Sequence, residues 1–217
     1  MITSDGSSTI HLPDWNENYH SIHGAIQESK HVFIVKGFDQ LNDSKISILE
    51  IGFGTGLNCF ITFLEAMKSN KSIDYVGVEA YPVTKYEVAK LNYVSELKAE
   101  NQNEIFEKMH QCSWEEKHVI SSDFSLTKRK QFFKDIVDVN RFNIIYFDAF
   151  AAEHQPELWT VVIFEKMYKA LKANGILVTY SAKGSVRRAM QEVGFSVERI
   201  DGPPGKREML RATKLVS

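Results

Sequence analysis

The sequence predicts an α/β fold, in which a mostly parallel sheet of seven strands carries helices on both faces. From residue 46 onward, short apolar and β-branched runs alternate with segments of helical periodicity. Two strand-like runs near the carboxyl end are separated only by a short Gly/Pro loop, which predicts an antiparallel C-terminal hairpin at one edge. A chain of 217 residues is long enough for one domain with a full core.

The hydrophobic pattern gives the order of the elements. Strands are predicted at 46–51, 73–79, 124–127, 142–150, 175–181, 195–200 and 207–213, and helices at 57–69, 83–98, 103–111, 130–138, 157–172 and 184–193. Residues 1–45 contain apolar runs that need covering. We therefore expect an N-terminal extension (1–45) packed on a core formed by residues 46–217.

Composition limits the classes of function. The net charge of -2 argues against a general polyanion binder, so a nucleic acid would need local basic patches. No apolar run reaches the length of a membrane span, and the amino end lacks the order of a signal peptide. The two cysteines and seven histidines show no spacing typical of a metal site. We expect a cytoplasmic protein without a metal; the oligomeric state is left open.

A glycine-rich turn follows the first predicted strand. Gly52, Gly54 and Gly56 leave it without side chains, and a helix begins just beyond, so backbone N–H groups are available to an anion. Glu79 ends the next strand, where a carboxylate can accept both hydroxyls of a ribose. This order favours a nucleoside-cofactor site, although a plain strand–helix turn also uses glycines.

The glycine spacing distinguishes between cofactors. The dinucleotide pattern G-x-G-x-x-G would need glycine at position 57, which is Leu57. The arrangement E-x-G-x-G-x-G, beginning at Glu50, instead resembles motif I of class I S-adenosylmethionine-dependent methyltransferases, which have a Rossmann-like fold. That resemblance implies S-adenosylmethionine as cofactor and a binding set of Glu50, Gly52, Gly54, Gly56, Asn58, Glu79 and Ala80.

Asp148 ends the strongly apolar run FNIIYFDAF. Ligands of parallel α/β sheets bind at the carboxyl ends of the strands, and a carboxylate there can orient an amine and accept its proton. We predict that Asp148 is catalytic; the alternative is that it caps the following helix. Phe150 is a candidate for stacking on a base or for packing.

Several longer segments resemble the methyltransferase domain of the MnmC family, which completes 5-methylaminomethyl-2-thiouridine at the wobble position of some tRNAs. They are TSDGSSTIHLPDWNENYHSIHGAIQESKHVFI, ILEIGFGTGLN, FDAF with PELW, SAKGSVRRAMQEVGF and GKREML. The resemblance implies methylation of the 5-aminomethyl group of wobble uridine, and hence tRNA as partner. Bifunctional members of the family also have a flavin-dependent oxidase domain. We expect a stand-alone methyltransferase without that domain.

The resemblance and the distribution of basic residues together suggest a substrate-binding set. Its members are expected at the rim of the site, where Lys and Arg would contact phosphates and the other side chains the base. They are Tyr19, Ser21, Phe150, Lys183, Arg187, Arg188, Lys206 and Arg207.

One segment departs from the family pattern. An acid normally follows the third strand and contacts the adenine of the cofactor, but here Lys128, Arg129 and Lys130 occupy that region. This departure leaves open a non-catalytic cofactor-binding module. Two further alternatives are a methyltransferase for a small amine or a protein, which the core motifs do not exclude, and a dinucleotide-dependent oxidoreductase, against which Leu57 argues.

Overall fold

The computed structural model describes residues 1–12 and 17–216 and contains an eight-stranded sheet. The strand order is β5-β6-β4-β3-β7-β8-β10-β9. The five central strands β6, β4, β3, β7 and β8 are parallel to one another, while β5, β10 and β9 pair antiparallel with their neighbours. Residues 13–16 of the long amino-terminal segment quoted above lie outside the described residues.

The strands are β1 His11–Leu12, β2 Glu17–Asn18, β3 Lys45–Ile51, β4 Ser72–Val78, β5 Lys117–Ser121, β6 Phe124–Arg129, β7 Phe142–Phe147, β8 Leu171–Thr179, β9 Ser196–Asp201 and β10 Glu208–Thr213. The α-helices are α1 Ala25–Ser29, α2 Leu57–Ala66, α3 Lys85–Val88, α4 Tyr93–Glu96, α5 Asn103–Gln111, α6 Val161–Ala170 and α7 Gly184–Val193. Strands β1 and β2 form a separate two-stranded sheet.

The predicted fold class is confirmed, including the antiparallel hairpin β9–β10, but the sheet has eight strands rather than seven. The additional strand is β5, which pairs antiparallel with β6 at the sheet edge. Its side chains are mostly polar or partly exposed, so it lacks the apolar run that identifies an internal strand.

Two predicted helices differ from the structure. The segment 130–138 contains only a single 3-10 turn, Phe133–Asp135, because the backbone is extended at Phe132 before it and at Ile136 after it. Asp138 forms ion pairs with Arg129 and Arg141. The segment 83–98 is divided into α3 and α4. Between them, the side chain of Asn92 bonds to the amino-terminal segment.

The sheet topology places three loops together. From the central strand β3 the chain first moves to β4 and β6, and then returns to β7 on the other side of β3. This reversal is a topological switch point, at which the carboxyl ends of the strands open a crevice for a ligand. The loops after β3, β4 and β7 therefore surround one site.

The amino-terminal segment contributes to the hydrophobic core. Phe33 and Phe38 are both 2% exposed and belong to the same buried cluster as Phe60 of α2 and Tyr146 of β7. Phe33 lies in a π-helix, Lys30–Val35, that directly follows α1. The division of the chain at residue 45 stays a prediction.

No described helix has both the length and the apolar composition needed to cross a membrane.

Asn92 fastens the amino-terminal residues to the domain. Its side chain accepts from the Ser8 backbone N–H at 2.7 Å and donates to the Gly6 carbonyl at 2.9 Å. We expect Asn92→Ala to lower the free energy of unfolding by about 2 kcal/mol, because both backbone groups lose a partner. Chemical denaturation measures the change. Asn103→Ala, which removes an exposed amide on α5, is the control, and equal losses in the two variants would contradict the assignment.

Candidate active site

A cavity of about 1430 Å³ opens at the carboxyl ends of the central strands. That volume exceeds what one drug-sized ligand needs, so it has room for a cofactor and an acceptor. Its walls include these predicted residues: Tyr19, Ser21, Gly52, Gly54, Asn58, Glu79, Ala80, Asp148, Phe150, Lys183, Lys206 and Arg207. The described lining does not include Glu50, Gly56, Arg187 or Arg188.

The glycine loop needs glycine at two positions for steric reasons. Gly52 has a φ of 89°, and a Cβ there would lie 2.5 Å from the Asp148 carbonyl oxygen. Gly54 has a φ of 47°, and a Cβ there would lie 3.2 Å from the ring of Tyr19. The absence of side chains lets β3 approach β7 closely and lets Tyr19 cover the loop.

Glu79 connects the loop to the end of β4. Its carboxylate accepts from the Gly54 N–H and from the Tyr81 N–H, both at 3.0 Å. Burial raises the pKa of Glu79, while these backbone hydrogen bonds act in the opposite direction. The carboxylate is thereby held at the cavity wall beside Ala80, as a ribose-binding role requires.

Glu50 lies beneath the cavity wall. It is completely buried and accepts from the Tyr75 hydroxyl at 2.9 Å and from Asn58 Nδ2 at 3.0 Å. Burial holds the pKa of Glu50 well above its usual range, and Asp148 adds to the rise. Glu50 was predicted to bind the cofactor, but in the structure it reaches the cavity only through Asn58.

Asp148 lies on the opposite side of Asn58, half-buried at the end of β7. Its Oδ2 accepts from Asn58 Nδ2 at 2.8 Å. The pKa of Asp148 is raised to about 7, mainly by burial. The charge of Glu28 contributes to the rise, whereas the hydrogen bond from Asn58 and the charge of Lys206 act in the opposite direction. The next helical turn begins at Pro156 with Gln155 as its cap, so Asp148 does not cap it.

Residues from both ends of the chain form the wall near Asp148. Tyr19 packs edge-to-face on Phe150 with ring centroids 5.0 Å apart. Lys206 lies over the ring of Tyr180 at 4.0 Å and pairs with Glu28 at 2.6 Å. No local sequence pattern indicated Glu28 or Tyr180; only the similarity of the segment around Glu28 to the MnmC family indicated that region.

The predicted basic residues have different environments. Lys183 forms an ion pair with Glu153 at the rim, and Arg207 is exposed there. Arg187 and Arg188 lie on α7 outside the described cavity lining, so their contact with RNA stays a prediction without geometric support.

The lysines and arginine after the third predicted strand do not face the cavity. Lys128 is 1% exposed and donates to the His110 carbonyl at 2.8 Å, while Arg129 pairs with Asp138. Beyond them, Phe132 and Phe133 line the cavity together with Ala80. An apolar wall therefore takes the place of the acid that the family pattern led us to expect.

Residues 94–215 match a family model described as S-adenosyl-L-methionine-dependent methyltransferase. This match covers more than half of the chain. The chain belongs to this methyltransferase family. S-adenosylmethionine is therefore its cofactor, as predicted, and the dinucleotide-dependent alternative is excluded.

The curated relatives of the chain are MnmC proteins, the family that the motifs in the sequence resemble. The chain is 29% identical to the "tRNA 5-methylaminomethyl-2-thiouridine biosynthesis bifunctional protein MnmC" of Burkholderia thailandensis, over 93% of this chain and 33% of the relative. The MnmC protein of Marinomonas sp. is 26% identical over 92% of this chain and 31% of the relative. The resemblance to MnmC is confirmed, and the methyltransferase spans about a third of the length of these relatives.

Solved structures support the Rossmann-like fold. The crystal structure of MNMC2 from Aquifex aeolicus superposes with a TM-score of 0.78 at 23% identity, covering 100% of this chain and 70% of that one. A spermidine synthase in complex with the transition state analogue AdoDATO superposes with a TM-score of 0.54 at 15% identity, covering 97% and 71%.

The residues present fit the cofactor of the family. The loop without side chains at Gly52 and Gly54 would leave room for its amino-acid part, and Glu79 would be the acceptor for its ribose. Ala80 and Phe132 would form an apolar wall for its adenine. Among the described residues, no group of three or more His, Cys, Asp or Glu is placed to hold a metal ion.

Glu79 allows a direct test of this assignment. We expect Glu79→Gln to weaken S-adenosylmethionine binding roughly 10- to 100-fold, because charge-assisted hydrogen bonds are lost and the new amide faces the Gly54 N–H. Isothermal calorimetry measures the affinity. Glu107→Gln on the exposed face of α5 is the charge-matched control, and an unchanged affinity in Glu79→Gln would rule out the ribose role.

The raised pKa of Asp148 predicts that cofactor binding depends on pH. Because that pKa is about 7, the free protein retains a proton on Asp148 at lower pH. The positive sulfur of the cofactor favours the ionised carboxylate, so binding should release a proton and tighten as pH rises from about 6 to 8. Calorimetry in buffers of different ionisation enthalpy detects this release. Asp148→Asn should abolish this proton release. Cofactor binding by the wild-type protein without proton release would contradict the prediction.

Proposed function

We propose that this methyltransferase acts on the 5-aminomethyl group of wobble uridine in tRNA, with or without a 2-thio group, and produces 5-methylaminomethyluridine. A carboxylate at the cavity floor, Asp148, carries the proposal because an amine acceptor needs a group that takes its proton. The MnmC relatives support the choice of acceptor, since their shared name includes 5-methylaminomethyl-2-thiouridine biosynthesis in tRNA. A tRNA substrate is also consistent with a cytoplasmic location.

Asp148 performs the proton step in this proposal. An aliphatic amine is protonated in water, and its nitrogen has no lone pair to donate until a proton leaves. The Asp148 carboxylate orients the nitrogen and accepts that proton, and its raised pKa brings its basicity closer to the working pH. When bound, S-adenosylmethionine supplies a methyl group on a positively charged sulfur that departs with the bonding electron pair.

The cavity walls position the acceptor. Tyr19 and Phe150 form an aromatic corner above the glycine loop, suited to one face of an unpaired base. Holding the acceptor nitrogen in line with the donor provides much of the rate acceleration in a displacement of this kind. Glu28 and Lys206 form an ion pair in the cavity wall, and both charges act on Asp148.

Lys134 and Arg207 are exposed cations at the rim of the cavity. Lys183 forms an ion pair with Glu153, and Lys206 forms one with Glu28. We infer that phosphate contacts come from Lys134, from Arg207 and from basic residues farther from the cavity, such as Arg188. Affinity for tRNA should then fall with rising salt concentration.

The test is incubation of the protein and S-adenosylmethionine with tRNA that carries 5-aminomethyluridine or its 2-thio form, followed by nucleoside mass analysis. We expect the gain of one methyl group, and a loss of at least about 100-fold in rate for Asp148→Asn, since general-base catalysis typically contributes 10²–10⁴-fold. tRNA with an unmodified wobble uridine is the substrate control.

A small amine acceptor is the competing function. Methylation of free 5-aminomethyluridine at the same efficiency as the tRNA would favour it, because no RNA contact would then contribute to recognition. Cofactor binding without any methyl gain on tRNA would overturn the proposal.

A further inference from the structure

The side-chain amide of Asn58 lies between two carboxylates. Its Nδ2 donates to Oε1 of Glu50 at 3.0 Å and to Oδ2 of Asp148 at 2.8 Å. A primary amide has two N–H hydrogens, so both are used. Glu50 is fully buried and is itself held by the Tyr75 hydroxyl, which gives the amide a rigid support.

A residue of the amino-terminal segment forms a hydrogen bond with the carbonyl oxygen of the same amide. Ser29 Oγ donates to Oδ1 of Asn58, and Ser29 is 3% exposed. Ser29 ends α1, and the π-helix Lys30–Val35 begins at the next residue. Helical turns of this type are rare and occur frequently at functional sites.

The orientation of the Asn58 amide determines which form of Asp148 is favoured. With its nitrogen toward Asp148, the amide donates a hydrogen bond, which stabilises the ionised carboxylate. An amide turned over would present its oxygen, which stabilises the protonated carboxyl instead. The hydrogen bond from Ser29 to Oδ1 supports the first orientation.

We propose that Ser29 and Asn58 are positioning residues: the Ser29 hydroxyl fixes the Asn58 amide, and the amide holds the Asp148 carboxylate ready for the acceptor amine. The inference rests on the proposed function only for the nature of that acceptor. It gives the amino-terminal segment a part in the methyl-transfer step, because a core formed by residues 46–217 would lack the hydroxyl.

Other charged groups also act on Asp148 and are left in place by the test. Glu28 of α1 raises the pKa of Asp148, and Lys206 from the loop before β10 lowers it. Glu50 lies behind the amide on β3. Removal of the Ser29 hydroxyl changes none of these charges, so a shift at Asp148 would report on the amide.

The experiment compares Ser29→Ala with Ser8→Ala. Ser8 is also a buried serine of the amino-terminal segment, and its hydroxyl accepts from the Asn92 backbone N–H at 3.1 Å, away from the site. For each protein we would measure kcat and KM with tRNA bearing 5-aminomethyluridine, the Kd for S-adenosylmethionine, and the pKa of Asp148. Carbon-13 NMR of aspartate-labelled protein, assigned with Asp148→Asn, gives that pKa.

We expect Ser29→Ala to lower kcat roughly 10-fold, as small misplacements of a reacting group do. The pKa of Asp148 should rise, whereas the KM should stay at the wild-type value. The cofactor Kd should also match the wild type when it is measured at a pH well above that pKa, where Asp148 is ionised in both proteins. Ser8→Ala should match the wild type in all four. In an Asp148→Asn background Ser29→Ala should have no further effect, because the two residues act as one unit.

Unchanged kcat and an unchanged Asp148 pKa in Ser29→Ala would overturn the inference, as would an equal loss of rate in the Asp148→Asn background. Should Ser29→Ala fail to fold, Ser29→Cys gives the same test with a side chain of similar size and a weaker donor, and intermediate values are expected. A wild-type protein without methyl transfer to tRNA refutes the proposed function, while the NMR titration still decides the positioning role.

Discussion

The site depends on the burial of carboxylates around one amide. Glu50 and Asp148 end neighbouring parallel strands, and Asn58 of α2 donates one N–H to each. Burial is the main reason why the pKa values of both carboxylates are raised, and the charge of Asp148 adds to the rise at Glu50. The shared amide compensates part of the cost of this burial. The arrangement keeps a basic group at the cavity floor instead of a fully solvated acid.

The cofactor side and the acceptor side of the cavity are built differently. The cofactor side consists largely of backbone: a loop without side chains at Gly52 and Gly54, in which the Gly54 N–H donates to Glu79. The acceptor side consists of side chains from distant parts of the sequence, where Glu28 from α1 meets Lys206 from the loop before β10. This division agrees with the family of the chain, whose members share a donor, whereas an acceptor has to be recognised by residues particular to each enzyme.

Local patterns predicted the parts of the fold that local physics controls. Buried parallel strands need continuous apolar runs, so β3, β4 and β7 were recognisable, and the absence of glycine at Leu57 distinguished the cofactor type. The predictions that differ are those in which tertiary contacts compete with helical periodicity. Phe133 and Ile136 are buried in the core from a largely extended backbone, and Asn92 bonds to the amino-terminal segment, so neither surrounding stretch forms one continuous helix.

The sequence by itself determined the fold class, the glycine loop, the acid that ends β4 and the acid that ends β7, because each of these follows from spacing along a single strand–loop unit. Only the tertiary structure decided that Glu50 acts through Asn58, that Lys128 is buried away from the cavity, and that Ser29 and Glu28 reach the site. Each of these contacts joins different elements of the fold. Those of Ser29 and Glu28 depend on how the amino-terminal segment packs on the rest of the domain, which no local periodicity records.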